Sequence, residues 1–147
     1  ISLKTILNKM PEKYLIDTSI WVDLYNDRKG YKGEPLGDYA FKLFAMIKAR
    51  GDKIIITDLT IRELEMNYSI PEIRGMMKPF ENIIEKIVST KKQRDEAKKV
   101  SQERNVPKGD ALHAVLARDN KLILITRDKH FNQLKGISLY KKPEDII

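Results

Sequence analysis

Apolar residues fall into two recurring patterns along this chain: short unbroken runs, and stripes at helical spacing. "LKTILNKM" (3–10) puts Leu3, Ile6, Leu7 and Met10 on one stripe and predicts a short amphipathic helix ended by Pro11. The run Tyr14-Leu15-Ile16 predicts a strand over 13–17, and Ile20, Trp21 and Leu24 predict a helix over 19–28. "NDRKGYKGEPLG" carries three glycines and a proline and reads as a loop. A helix over 36–50 follows, with Tyr39, Leu43, Met46 and Ile47 on its face and Gly51 as its stop. "DKIIITD" is a second strand, apolar without alternation and so buried on both faces. Helices are expected over 58–69 and 71–82, divided by Pro71, and a third strand over 86–89. The highly charged "KKQRDEAKKVSQERN" and the almost wholly apolar "PKGDALHAVLARDN" both read as helices, the second one buried. "KLILIT" is a fourth strand, "DKHFNQL" a short helix and "ISLYK" a fifth strand.

Strands alternating with helices, the clearest strands being continuous apolar runs, call for a parallel sheet covered on both faces. The expected fold is a three-layer α/β/α sandwich around a parallel sheet of about five strands, joined by right-handed crossovers. Residues 13–147 are expected to form one domain, with 1–12 as an amphipathic extension packed on it or on a second subunit. Ligands of such sheets bind outside the carboxyl ends of the strands.

Composition narrows the classes. The 147 residues are 41% apolar, enough for a proper core and too apolar for a disordered tail. No apolar run reaches the roughly 18 residues of a membrane span, and no secretory pattern opens the chain. The lack of cysteine excludes disulfides and thiolate metal sites and fits a cytoplasmic protein. A net charge of +7 is compatible with a polyanionic partner, and equally with a lysine-rich solvated surface.

Four acids stand where a ligand would bind. Asp17 ends the first strand, Glu63 lies in the helix after the second, Asp110 opens the buried helix and Asp128 follows the fourth strand. Each has a structural explanation. Asp17 and Asp128 suit helix caps, Glu63 completes a capping box with Thr60, and Asp110 suits a helix macrodipole. Taken together, four carboxylates at one sheet edge would repel and raise one another's pKa values. A hard cation such as Mg²⁺ or Mn²⁺ would reconcile them and would serve phosphodiester cleavage. Ser19 and Thr126 are hydroxyl neighbours able to orient a carboxylate.

At these four motifs, "LIDTSIW", "ITDLTIRELE", "KGDALHAVLA" and "LITRDKHF", the chain resembles the PIN-domain ribonucleases, from Tyr14 to Tyr140. The resemblance implies Mg²⁺- or Mn²⁺-dependent cleavage of single-stranded RNA by Asp17, Glu63, Asp110 and Asp128, often in a homodimer. In many relatives it also implies a toxin held inactive by a small antitoxin, the VapBC arrangement. The competing reading is a non-catalytic PIN-like module that binds RNA or protein within a larger assembly. Receiver and haloacid-type phosphatase domains are excluded, because Thr18 and Ser19 stand where a second acid is needed. Lys108, Arg127 and Lys129 flank the acids and are candidates for substrate phosphates. His113 reads as a hydrogen-bonded packing histidine and His130 as exposed, neither with a partner at metal-site spacing. Trp21 and Phe41 read as core, and the charged helix as a solvated face.

Overall fold

A computed structural model describes residues 10–147. The stripe Leu3, Ile6 and Leu7 lies outside the described residues, and Met10 is 78% exposed. Strand β1 (Lys13–Ile16) is followed by α1 (Thr18–Asn26), α2 (Leu36–Arg50) and β2 (Lys53–Thr57). Then come α3 (Asp58–Glu65), α4 (Ile70–Met77), a 3₁₀ turn (Lys78–Ile83) and β3 (Ile84–Ile87). Helices α5 (Lys91–Arg104) and α6 (Lys108–Asp119) precede β4 (Ile123–Ile125). The 3₁₀ segment Lys129–Leu134, the two-residue β5 (Tyr140–Lys141) and a last 3₁₀ turn (Pro143–Asp145) complete the chain.

The sheet is wholly parallel in the order β3-β2-β1-β4-β5, as the apolar runs predicted. Alternate residues of each strand enter different cores. Tyr14, Ile16, Ile54, Ile56 and Ile125 pack with Trp21, Leu43, Phe44 and Phe80 under α1, α2 and α4. Leu15, Ile55 and Leu124 pack with Val100, Val115 and Phe131 under α5 and α6. These are the three expected layers. Burying a continuous apolar run on both faces is what excludes one-sided, alternating strands here.

Local departures have local causes. The helix expected over 71–82 ends at Met77, because Pro79 has no N–H for a further helical bond and the chain tightens into a 3₁₀ turn. The third strand falls two residues before the expected span. Gly51 ends α2 at φ 71°, a conformation that favours glycine. Phe41 is not core: it is 57% exposed on α2, while Trp21 is fully buried against Phe44 with ring centroids 4.8 Å apart.

The strand order reverses between β1 and β4. Succeeding strands step outward from β1 in one direction and from β4 in the other, which opens a crevice at their carboxyl ends. The backbone keeps the two ends in register, with Ile16 opposite Ile125 and the Asp17 N–H bonded to the Ile125 carbonyl at 3.0 Å.

Candidate metal centre

Asp17 occupies the N-cap position of α1, yet its carboxylate makes no capping bond to the helix backbone. Its oxygens are turned to other donors instead. Oδ2 accepts from the hydroxyls of Ser19 at 3.0 Å and Thr126 at 2.9 Å. Oδ1 lies 3.5 Å from Nδ1 of His113, a ring only 1% exposed. Burial pushes this carboxyl up, but the His113 bond and charge and the two hydroxyl bonds outweigh it and hold Asp17 below the usual range. The repulsive upward shift expected for all four acids is therefore absent at Asp17. Its donors neutralise what burial would cost.

His113 does more than pack. Its Nε2 is 2.8 Å from the Thr57 hydroxyl, which also accepts the Thr60 N–H at 3.1 Å as the N-cap of α3. Nδ1 faces Asp17 while Nε2 shares a hydrogen bond with the Thr57 hydroxyl, which in either sense of that bond keeps a lone pair for the cap. One imidazole on α6 thus ties together the ends of β1 and β2 and the start of α3.

The cap also frees Glu63. The sequence offered a box between Thr60 and Glu63, but the box formed pairs Thr57 with Thr60, one turn earlier. Two threonines three residues apart satisfy both first-turn donors, so the glutamate is not needed there. Its Oε1 accepts instead from the Thr18 hydroxyl at 2.9 Å. Helix α6 comes close at this point because residue 109 is glycine: a Cβ there would lie 3.2 Å from Leu59 Cδ2 and 3.9 Å from Glu63 Oε2.

Asp110 has the opposite surroundings to Asp17. Burial pushes its carboxyl up to about 8, assisted by the hydrogen bond and charge of Asp128 and by the charges of Asp17 and Glu63. All three other acids therefore act on this one group. Its Oδ2 is buried and takes no hydrogen bond among the described residues. Asp128 does cap its 3₁₀ segment, accepting the His130 N–H at 2.9 Å, while its own N–H donates to Thr126 Oγ1 at 3.1 Å. His130 then joins the pair: Nδ1 lies 2.7 Å from Asp128 Oδ1 and 3.3 Å from Asp110 Oδ2. One ligand atom from each of Asp110, Asp128 and His130 lies within 4.8 Å of the others. Sequence spacing missed His130 as a third donor, because the Lys129–Leu134 turn folds its ring back over Asp128.

A divalent cation fits this set. An orphaned buried oxygen, a carboxyl pushed far above its ordinary value and a further acid at contact distance are what an added positive charge would relieve. The donors are oxygens with one imidazole, the chemistry of Mg²⁺ or Mn²⁺ and not of thiolate-bound metals.

The flanking cations divide. Lys108 and Lys129 are exposed. Arg127, expected beside phosphates, is committed elsewhere: its side chain is 17% exposed, with its guanidinium 2.8 Å from Glu144 and 3.3 Å from the buried Asp23. It also lies over the Tyr39 ring, 6.0 Å from the centroid. Burial raises Asp23, with Arg127 opposing, whereas at Glu144 the Arg127 bond prevails and lowers the carboxyl. Arg127 pins the segment between Thr126 and Asp128 to α1 and the C-terminal turn.

A parallel α/β domain with an acidic, cation-demanding crevice at its topological switch point is the class that fold and site define together. The PIN domain family model matches residues 14–137, and the chain belongs to that family, which is one of nucleases. Solved structures agree on the fold. A toxin–antitoxin complex from Klebsiella pneumoniae superposes with a TM-score of 0.63 at 20% identity, over 88% of this chain and 97% of that one. The VapBC2 complex of Rickettsia felis, bound to a DNA fragment from its promoter, gives 0.63 at 18% identity over 88% and 98%. A protein from Pyrobaculum aerophilum gives 0.58 at 20% identity, covering 93% of each chain. No curated protein matches the sequence.

Proposed function

We propose that the protein is a divalent-metal-dependent endoribonuclease that cuts single-stranded RNA, with Asp17, Glu63, Asp110 and Asp128 as its catalytic acids. The observation that carries this reading is the cluster of Asp110, Asp128 and His130, one ligand atom of each within 4.8 Å of the others, at a carboxyl that burial and the neighbouring acids push up. When bound, Mg²⁺ or Mn²⁺ supplies the Lewis acidity for hydrolysis of a phosphodiester. Asp110 and Asp128 hold the cation, with His130 as an added donor. Asp17 presents an ionised oxygen whose direction is fixed by Ser19, Thr126 and His113. Glu63, released from capping and steadied by Thr18, completes the acidic wall. The test is cleavage of a single-stranded RNA with Mg²⁺, with Mn²⁺ and with EDTA. Cleavage that EDTA leaves intact would overturn the reading.

An antitoxin partner is part of the proposal. Its support is the likeness to chains from toxin–antitoxin complexes, together with apolar grooves on the helical side of the α1–α4 layer. One of about 570 Å³ has Ile61, Ile70, Ile73 and Met77 for its apolar part and Glu65, Arg74, Lys78 and Glu81 around them, and one of about 270 Å³ is lined by Trp21, Tyr25, Phe41 and Phe80. Within this reading the protein acts in the cytoplasm, and a homodimer is its expected state. No helix among the described residues is long and apolar enough to cross a membrane.

A further inference from the structure

A third cavity, of about 240 Å³, differs from the other two in carrying charge of one sign only. It lies between α3, α5 and α6, and four of its eight lining residues are cations: Arg62, Arg94, Lys98 and Lys108. No acid lines it, and its floor is Leu59, Ala97 and Leu112. Arg94 is held in place by bonds to the Ser89 carbonyl and hydroxyl at 2.6 and 3.0 Å, and Arg62 leans on Asp58 at 3.6 Å. Lys98 and Lys108 enter no ion pair among the described residues, unlike Lys91 on the same α5, which pairs with Asp95 at 2.7 Å. The N-terminus of α6 adds to the positive field. Pro107 is its N-cap and offers no side-chain acceptor, so the first-turn N–H groups keep their hydrogen-bonding capacity. The cavity also adjoins the acidic site, because Gly109 lines it and a Cβ there would stand 3.2 Å from Leu59 Cδ2 and 3.9 Å from Glu63 Oε2.

We infer that this cavity is a substrate subsite that takes one nucleotide unit of a single-stranded nucleic acid beside the cut, its phosphate on Lys98 and Lys108 and its base against Leu59 and Leu112. The inference rests on the nuclease reading for its substrate, and it adds where the strand runs. A cationic rim over an apolar floor matches a phosphate joined to a base with two π-faces. The contacts are sequence-tolerant, because phosphate bonds position a strand without reading it. On α5 the subsite uses only Arg94 and Lys98, while Lys92 and Lys99 face solvent.

The test is binding of a short fluorescent oligouridylate to the full chain in EDTA, so that no cleavage intervenes. Lys98→Glu/Lys108→Glu is compared with Lys92→Glu/Lys99→Glu, which changes the net charge equally on the exposed outer face of α5, about a quarter turn or more away from Lys98. The cavity double variant is expected to lose roughly tenfold or more in affinity and about 1.4 in the slope of log K against log salt, for two single-strand phosphate contacts. The outer-face variant should lose less than about threefold. Equal losses, or no oligonucleotide binding by the wild type, would overturn the subsite. A wild type that binds but never cleaves with Mn²⁺ would overturn the nuclease reading and leave the comparison of the two variants decisive for the subsite.

Discussion

Asp17 is buried among donors, whereas Asp110 is half-buried among acids with one imidazole nitrogen 3.3 Å away, and the two carboxyls are driven in opposite directions. Around Asp17, two hydroxyls and an imidazole are already in place, so the ionised form is favoured by the fold itself. Around Asp110, the neighbours are acids, and the proton is held up to about pH 8. One fold can thus hold several acids together by treating them unequally. One carboxylate is anchored by the fold, and the charge conflict is gathered on another that a cation can relieve.

The largest effect should come from breaking either end. Asp17→Asn and Asp110→Asn are each expected to abolish Mn²⁺-dependent RNA cleavage while circular dichroism stays unchanged. Activity persisting in both variants would remove the acids from the mechanism.

Metal addition sharpens the contrast. Mn²⁺ at a hundred times its dissociation constant should stabilise the wild type by roughly 2.7 kcal/mol, a melting shift of several degrees for a domain of this size. Asp110→Asn should lose most of that shift. A wild type whose melting ignores Mn²⁺ would contradict the fit of the site to a cation.

Without metal, the two substitutions should move stability in opposite directions. Asp110 has a folded pKa raised to about 8, so its contribution favours the fold at low pH and is lost as pH rises from about 4 through 8. Asp110→Asn should therefore raise the metal-free melting temperature at pH 8. Asp17 is lowered in the fold, so its contribution is present above the unfolded pKa and disappears as pH falls through the folded one. Asp17→Asn should lower the melting temperature, at a cost of about 1–3 kcal/mol for donors left poorly matched. Equal shifts of the same sign in thermal melts at pH 8 would dissolve the comparison.

The smallest effect belongs to the anchor behind Asp17. His113→Leu removes the link from Thr57 to Asp17 and is expected to weaken Mn²⁺ binding by roughly 10–100-fold, the usual consequence of losing an orienting partner. Titration followed by water-proton relaxation would measure it, and unchanged Mn²⁺ affinity would reduce His113 to packing.

Much of this was legible in the chain. Runs such as Ile54-Ile55-Ile56 could satisfy only a sheet buried on both faces, and that requirement brought the ends of β1, β2 and β4 to one edge with their acids. What stayed hidden depended on competition between neighbours. Thr57 and Thr60 took the cap that Glu63 was expected to complete, and nothing in the spacing says which of two boxes wins. Arg127 directly precedes the motif acid Asp128 but is drawn to Asp23 and Glu144, which lie outside the motif. His130 was invisible as a donor because a tight turn, not a helical repeat, brings its ring to Asp110. Phe41 shares a helix with core residues and still points outward, since helical spacing fixes a face only to within a residue or so.

The sheet's borders carry a consequence for how copies of this chain can meet. β3 has four residues, with Lys86 exposed and Glu85 paired to Lys13 at 3.1 Å, and β5 has only two, one of them Lys141. Short, charged borders are poor templates for another strand, because a neighbour would gain few main-chain bonds and would have to desolvate lysines. Growth by strand addition, the common route to fibres and swapped sheets, is closed at both ends. Among the described residues, Phe41 and Ile70 on helices and Met66 just past one are more than half exposed, and these surfaces offer self-association more than the strand borders do.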